Sequence, residues 1–171
     1  MTSSITKIKS KAAANESTSN SPSISWYPGH IAKAERELSE YLKKVDVVIE
    51  VRDARIPFST THPMVPVWVG TRPLIVVITR LDQISENAAK QWKKYYATHP
   101  AHESRPDDSG KVFFIDGKNG TGVAALKKHA LKSGQIVNER RKRRGIQPRA
   151  VRAAVIGFPN VGKSALINKV R

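Results

Sequence analysis

The sequence predicts an α/β fold in which the strands of a parallel sheet alternate with helices. Short apolar runs alternate with segments of helical periodicity along the 171-residue chain. The pattern G-x-x-x-x-G-K-S follows the last apolar run, at 157–164, and is typical of a loop that binds phosphate. Because crossover helices pack against both faces of a parallel sheet, we expect a doubly wound arrangement.

Each element follows from a local pattern. Apolar runs predict four strands, at 45–52, 74–79, 111–115 and 151–156. Helical spacing of apolar residues predicts helices over 30–44, 85–98 and 121–144, and a fourth that begins near Lys163. Ser85 is expected to cap the second helix, and Gly134 to weaken the third. The prolines at 57, 63 and 66 predict a loop after the first strand, and 99–110 predicts a polar loop.

The first 25 residues differ from the rest of the chain. They contain eight Ser, three Lys and one acidic residue, with little apolar content. This composition predicts a disordered tail, although a Ser-rich, acid-poor start also fits a segment that targets an organelle. Residues 26–171 are then expected to form one domain.

Composition limits the possible partners and excludes some chemistry. The absence of cysteine rules out disulfides and Cys-ligated metals, and no apolar run reaches the ~18 residues of a membrane span. The net charge of +16 favours a polyanionic partner, nucleic acid rather than a membrane surface. Residues 127–152 hold ten Lys or Arg and one acid, which favours contact with RNA phosphates over a solvated helix end or a nuclear-import patch.

The loop at 157–164 has residue types suited to phosphate. Gly157 and Gly162 let the backbone curl so that successive N–H groups point inward, and the following helix directs its positive end at the same place. Lys163 is expected to contact the β- and γ-phosphates, and the Ser164 hydroxyl to ligate Mg²⁺. The alternative is a glycine-rich turn between a strand and a helix.

Thr79-Arg80-Leu81-Asp82, after the second strand, resembles the N/T-K-x-D motif that selects guanine. A carboxylate accepts hydrogen bonds from guanine N1–H and the 2-amino group, whereas adenine would leave Asp82 unpaired at a cost of about 1–3 kcal/mol. The Arg80 guanidinium can lie flat over the base. Thr79 and Arg80 depart from the usual Asn and Lys, and a strand end followed by a helix-capping Asp is the alternative.

A second loop, at 116–122, follows the third strand. Asp116, Gly117 and Lys118 stand where GTPases carry an S-A-K-like loop whose backbone N–H meets guanine O6. By itself the segment would be a glycine-rich turn and a helix cap. Its position after the motif at 79–82 favours a role in binding the base.

Taken together, these motifs resemble the YlqF-type family of circularly permuted GTPases, from Trp26 to the end of the chain. The segment 26–30, Trp-Tyr-Pro-Gly-His, is similar to the family's W/F-x-P-G-H start. The segment 53–57, Asp-Ala-Arg-Ile-Pro, is similar to its D-A-R-I-P signature. The guanine motif, the loop at Asp116 and the phosphate loop then follow in the family's permuted order, as in its organellar members, including the plant DAR GTPases.

The resemblance implies a circularly permuted Ras-like P-loop NTPase that binds GTP and GDP and acts in assembly of the large ribosomal subunit, with its rRNA as partner. It implies that His30 orients the attacking water, although His30 could instead be a helix-start residue without chemistry. It implies that Asn160 helps to hold K⁺; otherwise Asn160 is a turn former. An organelle, chloroplast or mitochondrion, is the expected compartment, with the cytoplasm as alternative. The other loop positions implied to contact nucleotide are Pro159, Val161 and Ala165.

Some parts of such a GTPase are expected beyond Arg171. The switch Thr and the D-x-x-G that senses the γ-phosphate would follow the phosphate-loop helix, as would a C-terminal RNA-binding domain. Asp107-Asp108-Ser109-Gly110 matches D-x-x-G by letters but is expected to be a loop. We therefore expect a fragment with an incomplete sheet, whose last strand is an apolar edge. The alternative function is a non-catalytic rRNA-binding module with a vestigial nucleotide site.

Overall fold

The chain folds as four strands and five helices over residues 28–105 and 112–170, which the computed structural model describes; for residues 28–32 this covers the backbone alone. The strands are β1 (Val47–Asp53), β2 (Leu74–Thr79), β3 (Val112–Phe114) and β4 (Ala153–Ile156). The helices are α1 (Pro28–Leu42), α2 (Val65–Val69), α3 (Glu86–Thr98), α4 (Val123–Arg143) and α5 (Lys163–Val170). The predictions for the first 25 residues and for 107–110 fall outside the described residues.

The four strands form one parallel sheet in the order β3-β2-β1-β4. Asp53 at the end of β1 is in register with Thr79 at the end of β2. Strand ends that share an edge bring the loops that follow them together, which is where ligands bind in parallel α/β sheets. The loops after β1, β2, β3 and β4 all lie at this edge.

Helices cover both faces of the sheet, as the sequence predicts. Side chains alternate along β1, so that Val47, Ile49 and Val51 pack with Leu126 of α4 and Leu166 of α5. The opposite face meets α1, α2 and α3 through two further clusters, of which the central residues are Leu42, Val48, Val65, Val69, Leu74, Ile78 and Tyr96. The doubly wound α/β arrangement is therefore confirmed.

Strand β4 lies at the edge of the described sheet, paired with β1 alone. Its residues are half-buried or exposed, whereas every residue of β1 and β2 is buried. An apolar groove lined by Ile49, Val155 and Ile167, among others, runs beside it. The expected apolar edge is thus present in the part of the chain that the structure describes.

One local prediction was wrong. A short helix, α2, interrupts the predicted loop, because Pro66 lies in its first turn, where a proline removes no helical hydrogen bond. Helix α4 runs through Gly134 without a break. A β-carbon at 134 would lie 2.2 Å from Val151 Cγ1, so the glycine makes room for the chain that leads into β4. The first and last strands also begin two residues later than predicted, at Val47 and Ala153.

A buried ionic network occupies the α3 side of β1. Glu50 and Arg52 each keep only 1% of their side-chain surface exposed, and Arg52 Nη2 donates to Glu50 Oε2 at 2.9 Å and to the carbonyl oxygen of Ala101 at 3.0 Å. Nε2 of His102 lies 2.6 Å from the same carboxylate oxygen, where a protonated Nε2 donates to it. The network fixes the 99–105 loop against the sheet, since Ala101 and His102 both belong to that loop.

Candidate functional site

The phosphate loop crosses from β4 to α5 and has little room for side chains. Gly157 has φ +146°, and a β-carbon there would lie 2.4 Å from the carbonyl oxygen of Val51. Gly162 has φ +95°, and Asn160, although not a glycine, has φ +62°. A non-glycine residue in the left-handed region is uncommon outside tight turns and functional sites. The loop is thus a tight curl pressed against the end of β1.

Lys163 and Ser164 begin α5 at the open side of this loop. Lys163 Nζ donates to the carbonyl oxygens of Gly157, at 3.0 Å, and Phe158, at 2.6 Å, so the ammonium lies inside the curl. A cavity of about 250 Å³ adjoins it, lined by Arg80, Asn160, Gly162, Lys163, Ser164 and Ala165. Here a cation, a helix N-terminus and an exposed hydroxyl face one space, an arrangement that suits a phosphate group. We call this space the phosphate cavity.

Thr79 ties the end of β2 to the phosphate loop. Its hydroxyl oxygen lies 2.5 Å from the carbonyl oxygen of Val161 and 3.1 Å from that of Arg52. A hydroxyl has one proton to donate, and the shorter contact is the one to the loop. Thr79 is buried and packs against Gly162, so this position couples the motif at 79–82 to the phosphate loop.

A second cavity, of about 270 Å³, lies beside the first, between the loops after β2 and β3. We call it the base cavity. Its lining includes Thr79, Arg80, Asp82, Gln83, Ile115, Gly117, Lys118, Gly162, Ala165, Leu166 and Lys169. Asp82 lies in a turn of 3₁₀ helix, Leu81–Gln83, and is exposed. The two cavities share Arg80, Gly162 and Ala165 as walls, so Asp82 and Lys163 border adjoining spaces that one nucleotide could span.

The loop after β3 lines the base cavity with Gly117 and Lys118, whereas the Asp116 carboxylate accepts hydrogen bonds within the loop. Asp116 Oδ1 accepts hydrogen bonds from the backbone N–H of Lys118 at 2.7 Å and of Asn119 at 3.2 Å. These N–H donors hold the pKa of the Asp116 carboxyl below its ordinary value. Gly117 and Lys118 line the cavity, whereas Asp116 lies outside its lining and shapes the loop.

Two other sequence-predicted residues, Val161 and Pro159, line neither the phosphate cavity nor the base cavity. Val161 is buried in the core, and Pro159 lines a separate cavity on the α1 side of β4, together with Lys163 and Leu38. His30 belongs to the first turns of α1, and its side chain falls outside the described part of the chain. Since Leu38 of α1 lines that same cavity, α1 packs beside the phosphate loop.

Sequence reasoning missed four residues of the base cavity, the polar Gln83 and Lys169 and the apolar Ile115 and Leu166. Lys169 Nζ donates to the carbonyl oxygen of Lys118 at 3.1 Å, which joins α5 to the loop after β3. A signal was present: Lys169 follows Ala165 by four residues and Leu166 by three, and this spacing places the three on one face of α5. That face borders the base cavity.

The chain is similar to known proteins over most of its length. The chain is 37% identical over 147 residues to ribosome biogenesis GTPase A of Bacillus pumilus, covering 86% of this chain and 49% of that protein. It is 32% identical over 146 residues to mitochondrial ribosome-associated GTPase 1 of Ictalurus punctatus, covering 85% and 43%. It is 31% identical over 147 residues to the mitochondrial protein Short integuments 2 of Arabidopsis thaliana, covering 86% and 34%. The chain therefore spans about half the length, or less, of these curated relatives, and no family model matches it.

Proposed function

Because the chain belongs to the YlqF-type family of circularly permuted GTPases, we propose that it binds GTP and GDP and hydrolyses GTP during assembly of the large ribosomal subunit. The observation that carries the proposal is the pair of adjoining cavities, one bordered by Asp82 and the other by Lys163. Their shared walls at Arg80, Gly162 and Ala165 allow one guanine nucleotide to reach both.

In this proposal the nucleotide lies with its base against Asp82 and its phosphates against α5. The Arg80 guanidinium borders the base. Gly117 and Lys118 line the same cavity, and the backbone N–H of Gly117 is the group we propose for guanine O6, because that of Lys118 donates to Asp116. Asn160, Val161 and Ala165 contribute loop and helix-start N–H groups, and Pro159 fixes the bend before them. Lys163 contributes the charge for the β- and γ-phosphates.

The residues present fit a magnesium ion beside the phosphates. Ser164 is exposed in the first turn of α5 and lines the phosphate cavity, where its hydroxyl is a hard oxygen ligand of the kind that Mg²⁺ takes together with phosphate oxygens. When bound, the ion neutralises charge on the phosphates. Asn160 is exposed on the same cavity, and its amide oxygen is the group we propose for K⁺.

We assign His30 the positioning of the attacking water. It belongs to α1, and Leu38 of the same helix lines a cavity together with Lys163. Two relatives carry mitochondrial names, and this favours an organelle, a mitochondrion or a chloroplast, as the compartment.

The guanine assignment is tested by replacing Asp82 with asparagine. We expect Asp82→Asn to weaken binding of fluorescent GDP about 10- to 100-fold, because the amide replaces one of two acceptors by a donor that faces guanine N–H groups. Xanthosine diphosphate, which has an oxygen at C2, should bind the variant better than GDP. Titrations of both nucleotides measure this, with Glu103→Gln, an exposed acid elsewhere, as control. A variant that binds GDP as tightly as the wild-type chain would contradict guanine selection by Asp82.

An rRNA contact is proposed for the basic end of α4. Arg140, Lys142, Arg143 and Arg144 are exposed there, whereas Arg141 is half-buried and donates to the carbonyl oxygen of Gln147. No helix of the described residues is long and apolar enough to cross a membrane. The exposed positive charges of this cluster support a polyanion such as RNA as its partner.

Replacing Arg140, Lys142 and Arg143 with glutamine should weaken binding to a large-subunit rRNA fragment and flatten its salt dependence. Each lost phosphate contact lowers the slope of log K against log salt by about 0.7–0.9. Filter binding at several salt concentrations measures the slope, and Lys90→Gln, on exposed α3 surface, is the control. RNA binding that GTP leaves unchanged, in a chain without GTP turnover, would favour the non-catalytic rRNA-binding module instead.

A further inference from the structure

Asp53, at the end of β1, lines neither cavity, yet its carboxylate contacts two arginines. Arg55 donates from Nε to Oδ1 at 3.0 Å and from Nη2 to Oδ2 at 2.7 Å, a bidentate pair. On the other side, Arg80 Nε lies 3.5 Å from Oδ2. Asp53 is buried, whereas the Arg55 side chain is 48% exposed and the Arg80 side chain 28% exposed. The carboxylate therefore joins an inward-facing arginine and a surface arginine.

The Arg80 guanidinium joins the loop after β2 to the phosphate loop. Nη2 donates to the carbonyl oxygen of Asn160 in the phosphate loop, and Nη1 donates to Gln83 Oε1 at 3.2 Å. The backbone of Arg80 has φ +61°, in the left-handed region, so this side chain starts from a conformation that a non-glycine residue rarely adopts. Among the residues that the structure describes, Arg80 is the only arginine in the lining of either cavity, and it is a wall of both.

Asp53 is the one carboxylate among the described residues that forms an ion pair with Arg80. The other two partners of the guanidinium are a neutral carbonyl and a neutral amide, which hold a cation less firmly than an anion does. Without the carboxylate, the partly exposed Arg80 side chain would be held by these two neutral acceptors alone. Asp53 thus fixes the position of Arg80, which lines both cavities, although Asp53 itself lines neither.

We propose that Asp53 is a positioning residue for nucleotide binding, whose carboxylate holds the Arg80 guanidinium across the base and phosphate cavities. The role rests on the proposed binding of guanine nucleotide. It gives Asp53, the first residue of the Asp-Ala-Arg segment at 53–55, a function at the site through Arg80, whereas Arg55 pairs with the same carboxylate from the solvent side and has no part in binding.

A double-mutant cycle in the full 171-residue chain tests this, with titration of fluorescent GDP as the measurement. Asp53→Asn should weaken binding about tenfold, and it should weaken it no further when Arg80 is already alanine. Arg55→Ala is the matched control, because it removes the other arginine from the same carboxylate; it should stay within about twofold of the wild-type chain. Chemical unfolding of each variant without nucleotide shows whether the fold is intact.

Arg80→Gln is a second variant that leaves Asp53, Arg55 and their bidentate pair in place, and it should reproduce the loss if Asp53→Asn does not fold. Equal losses from Asp53→Asn with and without Arg80 would overturn the inference, as would a loss that Arg55→Ala reproduces. Arg80→Gln that binds GDP like the wild-type chain would also overturn it. A wild-type chain that binds no guanine nucleotide would refute the proposed function as well, so the two failures are distinguishable.

Discussion

Replacing Glu50 with alanine is expected to lower the free energy of unfolding by about 3–5 kcal/mol, because the change leaves Arg52 buried without its anionic partner. Both side chains are 1% exposed, so the Arg52 guanidinium has almost no contact with solvent. Arg52 would keep only the carbonyl oxygen of Ala101 and the ring nitrogen of His102 as neighbours. A loss of this size is a large part of the stability of a single domain.

Urea unfolding of Glu50→Ala, followed by circular dichroism, measures the loss. Glu37→Ala is the control: Glu37 pairs with Lys33 on the exposed side of α1, where such a pair contributes about 0–1 kcal/mol. The double variant Glu50→Leu/Arg52→Met removes both charges, and it should recover most of the stability lost in the single variant. A single variant as stable as the control would mean that water reaches Arg52.

The same carboxylate makes stability depend on pH in a defined direction. Burial raises the pKa of Glu50, but the hydrogen bond from His102 and the charge of Arg52 outweigh it and hold that pKa below its ordinary value. A carboxyl with a lower pKa in the folded state stabilises the fold fully above its unfolded pKa of about 4.3 and loses that contribution as pH falls through the folded value. The stability difference between the wild-type chain and Glu50→Gln should therefore shrink below about pH 4.3.

Much of the fold follows from local pattern. The continuous apolar run at Leu74–Thr79 predicted β2 with its observed bounds, because a strand that is buried on both faces carries apolar side chains at successive positions. The hydroxyl of Ser85 accepts from the N–H of Ala88, as the predicted N-cap of α3. The phosphate loop is equally local, since its glycines and Lys163 lie within eight residues of one another.

What sequence reasoning missed depends on contacts between distant residues. Glu50 and Arg52 appear as polar interruptions in an apolar strand, and only the fold brings His102 to them, 52 residues along the chain from Glu50. Gly134 looks like a weak point of α4 until the packed Val151 shows why no side chain fits there. The pairing of Asp53 with Arg80 is of the same kind, because it joins the ends of two strands.

Lys163→Ala is expected to weaken binding of GTP and GDP by about 2–5 kcal/mol, roughly 30- to 5,000-fold, because it removes the one lysine that lines the phosphate cavity. The fold should survive the change, since Lys163 Nζ contacts only loop carbonyl oxygens at the surface. Calorimetric titration of the variant with GTP, GDP and GMP measures the effect. GMP binding should change little, because the lysine acts on the β- and γ-phosphates.

Lys169→Ala is the matched control, since this lysine borders the base cavity at the opposite end of α5 and contacts the backbone of Lys118. Its loss should be about 1 kcal/mol and the same for GMP, GDP and GTP, because the Lys169 ammonium is directed at the base-side loop. Comparison of the two variants separates the loss of a positive charge beside the phosphates from a change in the shape of the phosphate loop. A Lys163 variant that lost GMP as strongly as GTP would have a collapsed loop, whereas a loss that grows with phosphate number is the signature of a cation placed for the outer phosphates.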